Sequence, residues 1–339
     1  MSKYTRIDLK KIKTYSIRSR RNKTQIKNFG KPLDLDSDIY GFLKSLPKYL
    51  KAEDLKSLID SIVNAKRKKK PIILMLGAHP IKCGLSPVLI DLMEEGFVTL
   101  LATNGAGAIH DLEIAFWGKT SEQVEQGIED GSFGMAKQTG EIFNFISTFA
   151  CQKDLGLGEA IGKRISELKA RFKKHSLLAN AYRLNVPACV HVAFGTDIVH
   201  QHPNFDPAST GKATYADFKI LADEVSRLNN GGVVLHFGSA VILPEVFLKA
   251  LSVARNIKGI HLQGKSRGIH PEGKSRGKIQ NFTTANFDMI QHYRPNVNVV
   301  LRPTQKSGHG FSFTGHHEIM IPLLAWALKS ININKQKRR

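Results

Sequence analysis

The stretch FVTLLATNGAGAIHDLE, Phe97 to Glu113, decides how this chain is read. Apolar or small residues from Val98 to Thr103 stop abruptly at Asn104-Gly105-Ala106-Gly107. An apolar pattern at helical spacing (Ile109, Leu112, Ile114, Phe116) starts at once. This is the sequence form of a buried parallel strand that enters a glycine turn and then a helix N-terminus, where backbone N–H groups and the helix dipole hold anions. A nucleotide phosphate is the first ligand such a turn suggests. The same form also occurs wherever an α/β chain simply reverses, so the neighbouring segments have to decide.

Before this stretch, Pro71 to Ala78 is a fully apolar strand and Gly84 to Glu95 an amphipathic helix. With the opening strand they form a βαβ unit, whose crossover is right-handed. Ile39 to Lys66 carries apolar residues at helical spacing, broken near Pro47, and ends in the cations of residues 66–70, as a helix C-terminus favours. After it, Thr120 to Gln123 has the capping-box form, and Gly131 to Gly140 reads as a turn region. Helices are expected over Leu157 to Lys173, Tyr215 to Leu228, Pro244 to Ala254 and Glu318 to Lys329. Strands are expected at Pro187 to Phe194, Val233 to Phe237, Ile279 to Ala285 and Val297 to Leu301. The alternation predicts an α/β fold, an open and largely parallel sheet with helices on both faces. The expected organisation is a basic N-terminal arm over 1–38, a helical lead-in over 39–70, one α/β domain over 71–330 and a basic tail over 331–339.

The 339 residues are 42% hydrophobic, enough for a sizeable core. The longest apolar run, Ile319 to Leu328, is interrupted by Pro322, so no membrane span is expected. The basic N-terminus has no apolar signal region, and three cysteines without metal-ligand spacing fit a reducing compartment, which gives a cytoplasmic reading. The net charge of +21 is concentrated: residues 1–70 hold 20 Lys/Arg against 7 Asp/Glu, and most of the remainder lies in 264–278 and 335–339. Any contact with nucleic acid would therefore be peripheral, through the arm, and solvated lysine-rich tails are the simpler explanation of the charge. Gly264-Lys-Ser-Arg-Gly268 recurs as Gly273-Lys-Ser-Arg-Gly277. It lacks the frame of a phosphate loop and reads as a basic, glycine-rich insertion.

In parallel sheets ligands bind at the carboxyl ends of the strands. That rule selects Gly77 to Gly84, Asn104 to Asp111, Thr196 to His202, Gly238-Ser239 and Thr284 to Asp288. These loops hold His79, His110, Asp111, Asp197, His200, His202 and Asp288, with His309, His316, His317 and Glu318 just before the last helix. Titratable groups gathered there mark a site, and histidine suits proton transfer near neutral pH. His110-Asp111 is the best-placed pair, although Asp111 also suits helix capping. His200-x-His202 has no third ligand at defined spacing, so no metal is expected. A Gly-x-Ser-x-Gly elbow, a kinase set and the Gly-x-Gly-x-x-Gly fingerprint are all absent.

Taken in order, several of these pieces resemble the deoxyhypusine synthase family. They are Leu76-Gly77 with Gly84-Leu85, Thr103 to Leu112, Thr196-Asp197, Gly232 to Val241, Thr284-Ala-Asn-Phe-Asp288 and Ile321-Pro-Leu-Leu324. The resemblance runs through about residues 70–330. It implies an NAD-binding parallel-sheet fold and a homo-oligomer, dimer or tetramer, with sites at subunit interfaces. It also implies NAD contacts from Gly77, His79, Asn104, Gly105, Gly107, Gly238, Ser239, Thr284, Ala285 and Asp288. Proton transfer then falls to His110 and His316, and substrate orientation to Asp111 and Asp197.

In that family a lysine imine carries a butylamine unit from a polyamine. Here the lysine's position falls near Ile242, and no lysine follows until Lys249. Ile109 and His110 replace the acidic pair before Asp111, and Gly315-His316 replaces an Ala-Asp. The expected function is an NAD-binding enzyme for a small molecule that does not make deoxyhypusine. The alternatives are a non-catalytic nucleotide-binding or RNA- or acidic-partner-binding protein on the same fold, and a true deoxyhypusine synthase, against which Ile242 argues.

Overall fold

The structure, a computed structural model, describes residues 3–263 and 279–336. Six strands, β1 (Ile72–Leu76), β2 (Leu100–Asn104), β3 (Ala188–His191), β4 (Val233–Phe237), β5 (Thr283–Asp288) and β6 (His309–Thr314), pair in the order β3-β2-β1-β4-β5-β6. Every pairing is parallel. The chain starts in the middle at β1, moves out through β2 to β3, then crosses back to β4 and continues to β6. The reversal leaves a switch point between β1 and β4, the place where ligands bind in open sheets of this kind.

Around the sheet lie α1 (Ile39–Ser45), α2 (Leu50–Arg67), α3 (His79–Lys82), α4 (Ser86–Glu94), α5 (Gly105–Trp117), α6 (Val124–Asp130) and α7 (Lys137–Gln152). Then follow α8 (Leu157–Glu167), α9 (Leu177–Arg183), α10 (Pro207–Ser226), α11 (Ile242–Gln263), α12 (Arg302–Thr304) and α13 (His317–Gln336). Side chains alternate across a strand, so helices on both faces require strands that are apolar throughout. β1 shows this: Ile72, Leu74 and Leu76 join one core with α2, α5, α8 and α13, while Ile73 and Met75 join a second core with α10 and α11. Leu58, Ile59 and Ile62 of the lead-in belong to the first core. On the β3 edge, Val190 N donates to Asp217 Oδ2 (2.8 Å) and Val192 N to Thr214 Oγ1 (3.1 Å), both acceptors on α10. No helix among the described residues is long and apolar enough to cross a membrane.

Several sequence expectations are corrected. Val297 to Leu301 is not a strand; it lies in a π-helical segment, Pro295–Leu301, and the sixth strand is His309–Thr314. An edge strand buries only part of its side chains, here Phe311 and Phe313, and so lacks a continuous apolar run. β5 extends through Asp288, which places Thr284 and Ala285 inside a buried strand rather than in a loop. The capping box at Thr120 does not form: Gln123 precedes α6 without a side-chain cap. α8 stops at Glu167, where Lys169 (φ +52°) turns left-handed. Helix α13 runs on to Gln336, into the expected tail. The repeat in 264–278 lies outside the described residues.

Candidate functional site

The first turn of α5 is closed by two side chains. Asn104, its N-cap, accepts from Gly107 N (2.9 Å). Asp197, in the loop after β3, accepts from the Ala106 backbone, and a Cβ on Gly105 would overlap its carboxylate. The anion at this helix N-terminus is therefore the chain's own, and the glycine turn is not a phosphate cradle, contrary to its first reading. Gly105 is glycine because Asp197 lies against it, and Gly107 because Thr103 Oγ1 does.

Asp197 is buried, its carboxyl pushed up to about 6 by loss of solvent, and its Oδ2 has no hydrogen-bond partner. Beside it, His200 Nδ1 accepts from Gly195 N (3.1 Å) and Asp197 N (3.3 Å). The proton of a neutral His200 must then sit on Nε2, which lies 4.0 Å from Asp197 Oδ2 and is also unpartnered. Burial holds His200 below its ordinary pKa.

His110 stands on α5 with Nδ1 2.6 Å from Thr120 Oγ1. The Thr120 hydroxyl donates to Glu113 Oε2, and Thr139 Oγ1 donates to Glu113 Oε1 (2.8 Å). Since Thr120 spends its proton on Glu113, His110 Nδ1 is the donor and Nε2 the basic nitrogen. Burial depresses the His110 pKa; Glu113 opposes the shift and Lys82 adds to it. His110, Glu113, Lys82, Thr196 and Asp197 line one pocket of ≈ 300 Å³, with Phe133 among its apolar walls. A neighbouring cavity of ≈ 450 Å³ shares Glu113 and Glu122 with it.

The other expected residues lie elsewhere. Asp111 is fully buried and accepts from Ser176 Oγ, Leu177 N (2.6 Å) and Leu178 N (3.1 Å), closing the start of α9 instead of facing the pocket. Burial still raises its carboxyl to about 6. His316 is exposed, its Nδ1 3.7 Å from Glu318. Its neighbour His317 is buried at the switch point, Nδ1 2.9 Å from His79 Nδ1 and Nε2 3.0 Å from the Phe287 carbonyl. Gly238 (φ +65°) lies under His317, and a Cβ on Gly77 would overlap the Gly238 carbonyl, so this crossing is packed with protein atoms. Ser239 Oγ accepts from Leu243 N (3.3 Å) at the start of α11, and Asp288 ends β5, buried. Glu113 is absent from the expected site set, and His200 enters it only as one of the titratable groups at the strand ends, without a role of its own. The i, i+3 spacing of His110 and Glu113 on one helix face was the available signal for the first.

A dinucleotide can be tested against these atoms. The unpaired Asp197 oxygen suits ribose hydroxyls, which donate, and Lys82 is the cation of the pocket lining for a phosphate. The residues fit NAD. Among the described residues, no group of three or more His, Cys, Asp or Glu is placed to hold a metal ion.

No family model matches the chain, and no curated protein does. Among solved structures it is similar to AgrE in a ternary complex with ornithine and NAD+ (TM-score 0.52, 13% identity, 83% of this chain and 33% of that one). It is similar to unliganded AgrE at TM-score 0.51 and 13% identity, over 82% of this chain and 33% of the other. A candidate deoxyhypusine synthase from Entamoeba histolytica has TM-score 0.48 and 12% identity, over 89% of this chain and 96% of that one. The chain spans about a third of the length of AgrE. The relationship is one of fold alone.

Proposed function

We propose that the chain is a deoxyhypusine-synthase-like enzyme that binds NAD along the strand ends and acts on a small molecule in the pocket beside α5. The observation that carries this reading is the buried, unpartnered Asp197 oxygen beside a pocket that His110 also lines. An orphaned buried acceptor costs stability unless a ligand donates to it. In this reading Asp197 holds a ribose hydroxyl and Lys82 a phosphate, and NAD, when bound, supplies a hydride acceptor. His110 Nε2 takes a proton from the substrate, and Glu113, acting through Thr120, stabilises the imidazolium that forms. AgrE, solved with ornithine and NAD+, supports the pairing of cofactor and small substrate on this fold.

The reaction is not deoxyhypusine synthesis. Lys249, the first lysine after the glycine turn, lies on the exposed side of α11 paired with Glu245, and α11 itself begins with Ile242. Among the described residues, the start of α11 after the glycine turn therefore carries no amine at the position from which that imine would form. Thermal unfolding with NAD, NADP or ADP-ribose tests the cofactor: NAD raises the midpoint, and Asp197→Ala abolishes the rise. A midpoint unmoved by all three ligands refutes the reading, and turnover of spermidine with NAD refutes the exclusion.

A further inference from the structure

Three side chains at the crossing of β1 and β4 form a proton path that the α5 site does not use. Cys83 ends α3 with its N–H on the His79 carbonyl (2.9 Å), and this one-turn spacing brings its thiol onto the His79 ring. Cys83 Sγ lies 3.6 Å from both ring nitrogens of His79, and His79 Nδ1 lies 2.9 Å from His317 Nδ1. Cys83 and His79 are half-buried, within reach of solvent, whereas His317 is enclosed.

The protons along this path can be assigned. The Phe287 carbonyl only accepts, so His317 Nε2 carries the proton of their 3.0 Å bond. In a neutral pair of rings His317 Nδ1 is then the acceptor and His79 Nδ1 the donor. His79 Nε2 keeps its lone pair, and the Cys83 thiol is the proton source beside it. A nucleophile, a base and a group that orients the base stand in sequence, the arrangement that activates a weak nucleophile.

The surroundings keep the thiol and its base uncharged at rest. Burial and then Glu318 push the Cys83 thiol up, with Lys82 opposing. Burial and then His317 push His79 down, against Glu318 and Asp288, while Lys82 lowers it further. The thiol therefore stays protonated near neutral pH and reacts only with the help of a base. A sulfur of raised pKa is also the stronger nucleophile once its proton is gone.

The backbone around the sulfur selects the electrophile. Acyl transfer needs free N–H donors for an oxyanion. Those of Cys83, Gly84 and Leu85 are engaged by the carbonyls of His79, Ile81 and Pro80. Thiol–disulfide exchange needs none, since its charge stays on sulfur.

We propose that Cys83 is a thiolation site at which His79 activates the sulfur toward small disulfides. His79 Nε2 takes the thiol proton, Sγ attacks one sulfur of the disulfide, and that S–S bond breaks as the mixed disulfide forms. The departing thiolate takes the proton from His79. The disulfide itself is the oxidant.

The full chain is incubated with hydroxyethyl disulfide, which is small and uncharged, and the adducts are located by peptide mass spectrometry against time and pH. Cys151, also half-buried, is the internal reference. Cys83 is expected to react about tenfold or more faster than Cys151 at neutral pH. Its rate should rise as His79 loses its proton and then hold level until the thiol itself ionises. His79→Gln keeps a donor toward His317 without a base. It should slow Cys83 by about tenfold or more, leave Cys151 unchanged and give a profile that climbs only with thiol ionisation.

Cys83 reacting no faster than Cys151 overturns the proposal, and so does a native profile that follows thiol ionisation alone. Both are read on the native chain, so neither depends on a variant that folds. A His79→Gln chain that melts at the native midpoint and reacts at the native rate overturns it as well.

Discussion

The first turn of α5 and the crossing between β1 and β4 are both glycine-built strand ends, and the chain's own side chains fill both. At the crossing the filler is satisfied: His317 bonds to His79 through one nitrogen and to the Phe287 carbonyl through the other. At α5 it is not, since Asp197 Oδ2 and His200 Nε2 face each other at 4.0 Å without bonds, beside a pocket. Sheet topology alone points to the crossing. Hydrogen-bond accounting points to α5, because a satisfied plug has nothing left to give a ligand and an orphaned carboxylate does.

The comparison can be broken first at the crossing. Gly77→Ala puts a Cβ into the Gly238 carbonyl, which is backbone and cannot give way as a side-chain tip can. A loss of about 3 kcal/mol or more in urea unfolding is expected, with the α5 pocket and its ligand shift kept in the folded fraction.

The second test is made at α5 by pH. Asp197 has a folded-state pKa of about 6, raised from 3.8, so the folded chain holds its proton more tightly than the unfolded chain does. Its contribution to stability is full below pH 3.8 and is lost as pH rises through 6, by up to about 3 kcal/mol. Asp197→Asn removes that slope from urea-unfolding free energies measured across this window. A variant that keeps the slope of the native chain would place the carboxyl in water. The NAD-induced shift should move the other way, growing as Asp197 ionises above pH 6.

The smallest effect sharpens the site itself. Glu113 is the group that raises the His110 pKa against burial. Glu113→Gln should lower that pKa further, as read by NMR titration of the ring protons, at a stability cost of about 1 kcal/mol. An unchanged titration would separate His110 from the Thr120–Glu113 chain.

How much of this was legible beforehand depends on what each residue answers to. β1 is an unbroken apolar run and β4 is interrupted only by His236, because helices cover both faces, so five residues suffice to find each of them. β6 has a neighbour on one side only, and its sequence, HGFSFT, looks weaker than the apolar Val297 to Leu301 that coils beside it. The loops holding His110 and Asp197 followed from strand order. Which member of an adjacent pair faces inward did not: successive helical residues point about 100° apart, so His110 reaches the pocket while Asp111 reaches α9. At the start of α13 the same rotation buries His317 and exposes His316. That Asp197 closes α5 is a contact across more than 90 residues, with no local trace in the sequence.

The covering of β3 by α10 has a consequence for the molecule in a crowded solution. An edge strand with free N–H groups is a template on which a strand from another molecule can grow, and that is how native sheets begin to aggregate. Asp217 and Thr214 occupy the outward N–H groups of Val190 and Val192, and Asp217 holds Gly158 N as well (2.9 Å). The sheet therefore cannot lengthen on that side while α10 is in place. Lifting this helix bares the N–H groups on which such a strand would grow.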